Sequence, residues 1–209
     1  AQVDGNNYAT IADAIAAANN KTLTLLKDVN GQIVIPEGKK ITLDLNGHAI
    51  SNSRTAVLNN GNLTICDSSE KKSGVIKSTG NVGIGVGDNS YTTIEYANIQ
   101  SQEGAVITSY STGATIIIKD GVFSVADNSV VAGNGSKRDG NANVITINGG
   151  TFIGNIQSSG FIACGIYAPW KDIITVNGGN FTVNNGIGIV ARAGQVTVNG
   201  GTFTCTGSA

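Results

Sequence analysis

Charge, aromatic rings, proline and histidine are all scarce in this chain. Only 13% of its 209 residues are charged, the formal net charge is −1, and there are 2 prolines and 1 histidine. The cations fall in scattered pairs, Lys39-Lys40, Lys71-Lys72 and Lys137-Arg138, so no basic stripe exists to neutralise a phosphate backbone, and nucleic acid is excluded as a partner. No apolar run approaches the ~18 residues that a membrane helix needs, which excludes membrane insertion by a helix. The opening "AQVDGNNYAT" has neither an initiator Met nor the basic-then-apolar signature of a signal peptide, so the chain reads as a mature or excised piece of something longer. Three cysteines, Cys66, Cys164 and Cys205, lack CxxC spacing and have one histidine to join them. A zinc site is not expected, no cofactor is expected, and the thiols read as buried small apolar residues.

What the chain does have is glycine, at 29 residues, with Asn, Thr, Ile and Val crowding the rest. That mixture favours many short strands joined by tight turns. The motif "VTVNGGTF" at 196–203 repeats "ITINGGTF" at 145–152 and "ITVNGGNF" at 174–181. Aligned on the closing aromatic, the column runs Ile50, Ile76, Ile99, Phe123, Phe152, Phe181 and Phe203, with spacings of 26, 23, 24, 29, 29 and 22 residues. A period in the twenties with variable loops marks a solenoid rather than a domain duplication.

Five residues before the aromatic lies a second apolar column, read as Leu45, Ile94, Ile118, Ile147, Val176 and Val198, with Ile65 in the same role. Two residues earlier come Leu43, Leu63, Ile116, Ile145, Ile174 and Val196. Alternate residues thus point inward, as in a strand with one buried face. Asn-Gly-Gly supplies the unusual backbone angles of a tight bend, and a third apolar stretch such as "IGIVARAG" completes a three-sided coil. Stacked at ~4.8 Å, like falls on like, and Asn148, Asn177 and Asn199 are expected to hydrogen-bond along the stack.

The sequence therefore predicts an all-β fold, a single domain over 1–209. Residues 1–22 form an N-terminal cap, with a helix over about 10–19, and 23–205 form about seven coils. Thr10 is the expected helix N-cap with Asp13 three residues on, and Ile11, Ala12, Ile15 and Ala16 form the apolar face that lids the first coil. At the other end "CTGSA" follows a core strand directly. Either more coils follow or another molecule covers the end, which makes end-to-end self-association through the uncapped C-terminal coil an expectation.

The order "YATIADAIAAANNKTLTLLKDVNGQIVIPEGKKITLDLNGHAI", then "GNLTI", then the repeated "ITINGGTF" and "VTVNGGTF" coils, resembles the right-handed parallel β-helix (pectin-lyase-like) domains of large secreted and wall-attached proteins of Gram-positive gut bacteria. The resemblance spans about Tyr8 to Cys205. It implies a right-handed parallel β-helix and an extracellular, secreted or wall-attached location. It does not single out an activity, since the same coil carries lyases, hydrolases, tailspikes and adhesins.

Sugar cleavage on such a scaffold needs paired carboxylates, or a calcium cluster with a basic residue. Adjacent coils rarely place two acids in one column, and the Asp pairs and Arg-rich strands of the polygalacturonases and pectate lyases are missing. Glu95 beside Lys119 reads as a surface ion pair, and His48, in the second Gly column of its bend and within reach of Asp44, reads as an exposed turn residue. What remains is a binding surface: Tyr110, Tyr167 and Trp170, with Lys171, Asp172 and Arg192 close by in register, around the loop "YAPW". The expected function is a non-catalytic extracellular module for adhesion to, or recognition of, glycans or a host protein. A polysaccharide lyase or glycoside hydrolase acting on an acidic polysaccharide is the alternative, and a passive stalk the third reading.

Overall fold

A computed structural model describes residues 1–108, 111–133, 140–155 and 164–207. The chain winds as a parallel β-helix. Eight parallel strands of sheet A begin successive coils: Lys21–Thr24, Lys40–Asp44, Asn62–Cys66, Tyr91–Ile94, Thr115–Ile118, Val144–Ile147, Ile173–Val176 and Gln195–Val198. Each is followed by a strand of sheet B, from Val29–Asn30 to Thr202–Thr206. The first seven are also followed by a strand of sheet C, from Ile33–Ile35 to Ile187–Ala191. Seven coils therefore have three sides, and an eighth has two.

The register places like on like. Ile50, Ile76, Ile99, Phe123, Phe152, Phe181 and Phe203 pair successively along sheet B. The four rings stack with centroids 4.7, 4.3 and 4.4 Å apart and planes within 8°. Isolated aromatic pairs favour offset or edge-on contact, and here the strand spacing imposes a nearly parallel stack.

The first full bend differs from the motif reading. Leu43, not Leu45, pairs with Ile65, and Ile41, not Leu43, pairs with Leu63. The segment Leu45-Asn46-Gly47-His48 is thus a longer turn, two residues out of step with the NGG bends it resembles. Its positive backbone angles fall on Asn46 (φ 47°) and Gly47 (φ 79°). In the NGG bends the second glycine alone takes that region, at Gly150 (φ 113°), Gly179 (φ 108°) and Gly201 (φ 101°). The first glycine answers a different demand: a Cβ on Gly149 would lie 2.7 Å from the Lys119 carbonyl oxygen of the coil beneath, and one on Gly178 2.7 Å from that of Asn148. One glycine bends the chain and its neighbour lets two coils touch.

At the N-terminus, α1 (Ile11–Ala17) starts at Thr10, whose Oγ1 accepts the Asp13 N–H at 3.1 Å. Its buried side is Ala14, Ile15 and, at the C-cap, Ala18, with Ile11 half-buried, while Ala12 and Ala16 are exposed. The helix period of 3.6 residues selects 11, 14, 15 and 18 over the 11, 12, 15 and 16 expected. Gln2–Val3 adds an antiparallel strand to the edge of sheet A beside Lys21–Thr24, and Asn6–Asn7 pairs with it in turn.

Candidate functional site

The "YAPW" loop joins sheet C to sheet A on coil 6, and its backbone is held from both sides. Below it, Asp172 is buried at 1% exposure; its Oδ1 accepts Asn143 Nδ2 at 2.9 Å and its Oδ2 accepts the Trp170 N–H at 3.3 Å. Asn143, also 1% exposed, donates to the Ser111 carbonyl at 2.9 Å and accepts the Ala114 N–H at 3.0 Å. Gly133 leaves the room, since a Cβ there would lie 2.2 Å from the Asp172 Cγ. Above it, Arg192 of coil 7 donates its N–H to the Ala168 carbonyl at 3.0 Å, and Gln195, at the start of coil 8, donates its N–H to the Asp172 carbonyl at 2.8 Å.

This placement corrects the sequence reading at Asp172, which sits inside as a bracket and not on the surface as a ligand contact. Only hydrogen-bonded carboxylates are tolerated at such burial; this one ties coil 6 to Asn143 of coil 5, which in turn reaches Ser111 of coil 4. Tyr167 and Trp170 are half-buried and Arg192 is exposed one coil further on. Tyr167 pairs with Ala132 below and Val190 above on sheet C, so its neighbours in the column are small or apolar. Tyr110 lies outside the described residues.

Other acids have turn-clamping roles. Asp67, buried in the bend of coil 3, accepts the N–H groups of Gly47 at 2.9 Å, Ser69 at 3.1 Å and Gly74 at 2.6 Å. Burial works to raise its pKa, but the Ser69 hydroxyl and these backbone donors outweigh it and hold the carboxyl below the usual range. Asp44 accepts the Asn46 and Ser68 N–H groups and does not engage His48, whose Nδ1 lies 3.3 Å from Asp28 instead. The Ala49 N–H, with the imidazole, keeps Asp28 low. Glu95 and Lys119 form the expected ion pair at 2.8 Å. Among the described residues no group of three or more His, Cys, Asp or Glu could hold a metal ion.

The thiols are free, and only Cys164 is fully buried; Cys66 is half-exposed and Cys205 exposed, against the expectation of three buried cysteines. Burial pushes both Cys66 and Cys164 up to about 11. At Cys66 the neighbouring Asp44 adds to the effect.

A second feature escaped the sequence reading. Loops of coils 1, 2 and 3 meet at the corner between sheets C and A and enclose a cleft of about 270 Å³ with Tyr91 on its rim. The signal was Tyr91 itself, 38% exposed and outward on sheet A, but its column reads Lys40, Asn62, Tyr91, Thr115 and shows no repeat to follow. Comparison with protein-family models, curated proteins and solved structures found no match for this chain.

Proposed function

We propose that the chain is a non-catalytic recognition module of an extracellular bacterial surface protein and that it binds glycans through the coil-6 loop. The sequence likeness to pectin-lyase-like domains of Gram-positive gut bacteria supports the extracellular placement. The observation that carries the reading is the bracket beneath the loop. Asn143 and Asp172 fix the backbone of Ala168–Asp172 from within, so that Tyr167, Trp170 and, one coil on, Arg192 are presented with little ordering left to do on binding. Aromatic bodies beside a planar, multiply donating guanidinium suit the C–H faces and hydroxyls of sugars.

The employment of Asp44, Asp67 and Asp172 as backbone clamps supports a non-catalytic role, since a carboxylate committed to N–H donors is a poor proton carrier. A glycan array and a host-protein array, probed with the intact chain and with Trp170→Ala and Arg192→Gln, test the proposal. Glycan binding that both variants weaken, at unchanged circular dichroism, is the expected result. Binding to host proteins alone, or glycan binding that both variants retain in full, overturns it.

A further inference from the structure

We infer a second binding site, for a single neutral pyranose ring, in the cleft at the corner of coils 1 to 3. It is independent of the coil-6 loop, and either can fail without the other. The cleft is assembled by three loops whose positions the stack dictates. Gly61 lines it and lets coils 1 and 2 close together there, since a Cβ would lie 2.5 Å from the Pro36 carbonyl oxygen and 2.6 Å from that of Lys39. Tyr91 is the aromatic plate. Its N–H donates to the Gly61 carbonyl at 2.8 Å, and its own carbonyl accepts Nδ2 of Asn59, a fully buried amide, at 2.9 Å. The ring is therefore mounted on a backbone pinned on both sides while remaining 38% exposed.

Two amides at the cleft are seated by glycines of the next coil. Asn60 Oδ1 lies 2.3 Å from where a Gly87 Cβ would stand, and Asn89 Oδ1 lies 2.4 Å from the corresponding point on Gly113. Asn89 also sits in the left-handed region at φ 52°. Amides both donate and accept, as sugar hydroxyls do, and an exposed aromatic face matches the C–H face of a pyranose.

Charge decides which sugar. The cleft carries Glu37 and Asp88 against Lys39 and Lys40, a balance of zero. Lys39 Nζ is already committed to the Ala16 carbonyl at the end of α1, at 2.7 Å, and Asp88 Oδ1 accepts the Thr112 N–H at 2.9 Å. With no excess of cations, an uronate or phosphate gains nothing over a neutral ring. A volume near the lower limit of ligand clefts suits one ring rather than a chain.

The test is isothermal titration of the intact chain with neutral disaccharides (cellobiose, maltose, lactose) and with digalacturonate, repeated on Tyr91→Ala, Tyr91→Phe and, as a control outside both sites, Asn177→Ala. The expected result is binding of at least one neutral sugar at about millimolar Kd, weakened about tenfold or more by Tyr91→Ala, and retained by Tyr91→Phe and Asn177→Ala. Should Tyr91→Ala lose its fold, Asn62→Leu, on the same outward face, replaces it with the same expectation of weaker binding. Preference for digalacturonate, no neutral-sugar binding, or binding indifferent to Tyr91 and Asn62 overturns the inference. Equal loss in Asn177→Ala overturns it too, while the coil-6 proposal, tested by Trp170→Ala, stands or falls separately.

Discussion

The bends of coils 2 and 3 and those of coils 6 to 8 join the same two sheets, yet they are built by opposite means. In the early coils the bends are long and unlike one another, and carboxylates knit them: Asp67 reaches from coil 3 to the Gly47 N–H of coil 2, and Asp44 reaches up to Ser68. In the late coils the bends are short and alike, and amides knit them: Asn177 Nδ2 donates to Asn148 Oδ1 at 2.9 Å and Asn199 Nδ2 to Asn177 Oδ1 at 2.8 Å. Charge follows the same division, since after residue 140 only Lys171, Asp172 and Arg192 are charged. A carboxylate can only accept, so it gathers N–H groups into an irregular loop; an amide donates and accepts, so it can repeat indefinitely along a stack. Irregularity is what makes room for a site, and both candidate sites lie where loops differ between coils.

The comparison can be broken at its core first. Phe152, fully buried between two stacked rings, is expected to cost about 3–5 kcal/mol when replaced by Ala, measured as a lower midpoint in urea. If the aromatic stack adds to burial, Ile76→Ala in the same column of the charged half costs less; equal costs would mean that the rings serve only as bulk. Gly178→Ala, which drives a Cβ against the Asn148 carbonyl, is expected to cost about 1–3 kcal/mol, and the same measurement on Gly38→Ala, whose Cβ meets nothing within 4 Å, isolates the φ penalty from the clash.

Asp67→Asn should cost about 1–3 kcal/mol, because the amide keeps one acceptor oxygen for the Gly47 and Ser69 N–H groups while its Nδ2, in place of Oδ2, cannot accept the buried Gly74 N–H. Its pH dependence has a definite sign. The native pKa is lowered from 3.8, so the contribution is present above pH 3.8 and lost as pH falls through the native value. The variant should therefore show a shallower loss of stability on acidification than the parent. Asn177→Ala, exposed on the ladder, is expected to cost only about 0.5–1 kcal/mol by the same urea midpoint. Smallest in energy and simplest to read is native alkylation followed by mass spectrometry, in which Cys205 is modified first, Cys66 later and Cys164 last.

The sequence showed what stacks. Parallel, in-register coils put identical residues in contact, so the Phe column, the Asn148-Asn177-Asn199 ladder and the Thr10 cap could be read from spacing alone. A second ladder three residues beyond Phe152, Phe181 and Phe203 was equally readable and was missed: Asn184 Nδ2 donates to Asn155 Oδ1 at 2.8 Å, and Thr206 Oγ1 donates to Asn184 Oδ1 at 2.6 Å. The bend at Leu45–His48 misled because "LNGHAI" matches "INGGTF" by letter, while strand register is set by the whole buried face and not by a three-residue motif. The burial of Asp172 and the cleft beside Tyr91, itself a minor candidate from the sequence, were beyond reach for a shared reason. Loop residues follow no period, and their surroundings depend on partners such as Gly133 beneath Asp172 that are distant in sequence and adjacent only after winding.

The central claim is that the repeat builds the rod and recognition sits where the coils differ. Titrating a glycan whose binding depends on the coil-6 loop and not on Tyr91 against Trp170→Ala and against the triple variant Asn148→Ala, Asn177→Ala, Asn199→Ala tests it most directly. The ladder variant is expected to be less stable yet to bind with unchanged affinity, while Trp170→Ala keeps its fold and loses binding. A folded ladder variant that loses the glycan, with Trp170→Ala still binding, would contradict it.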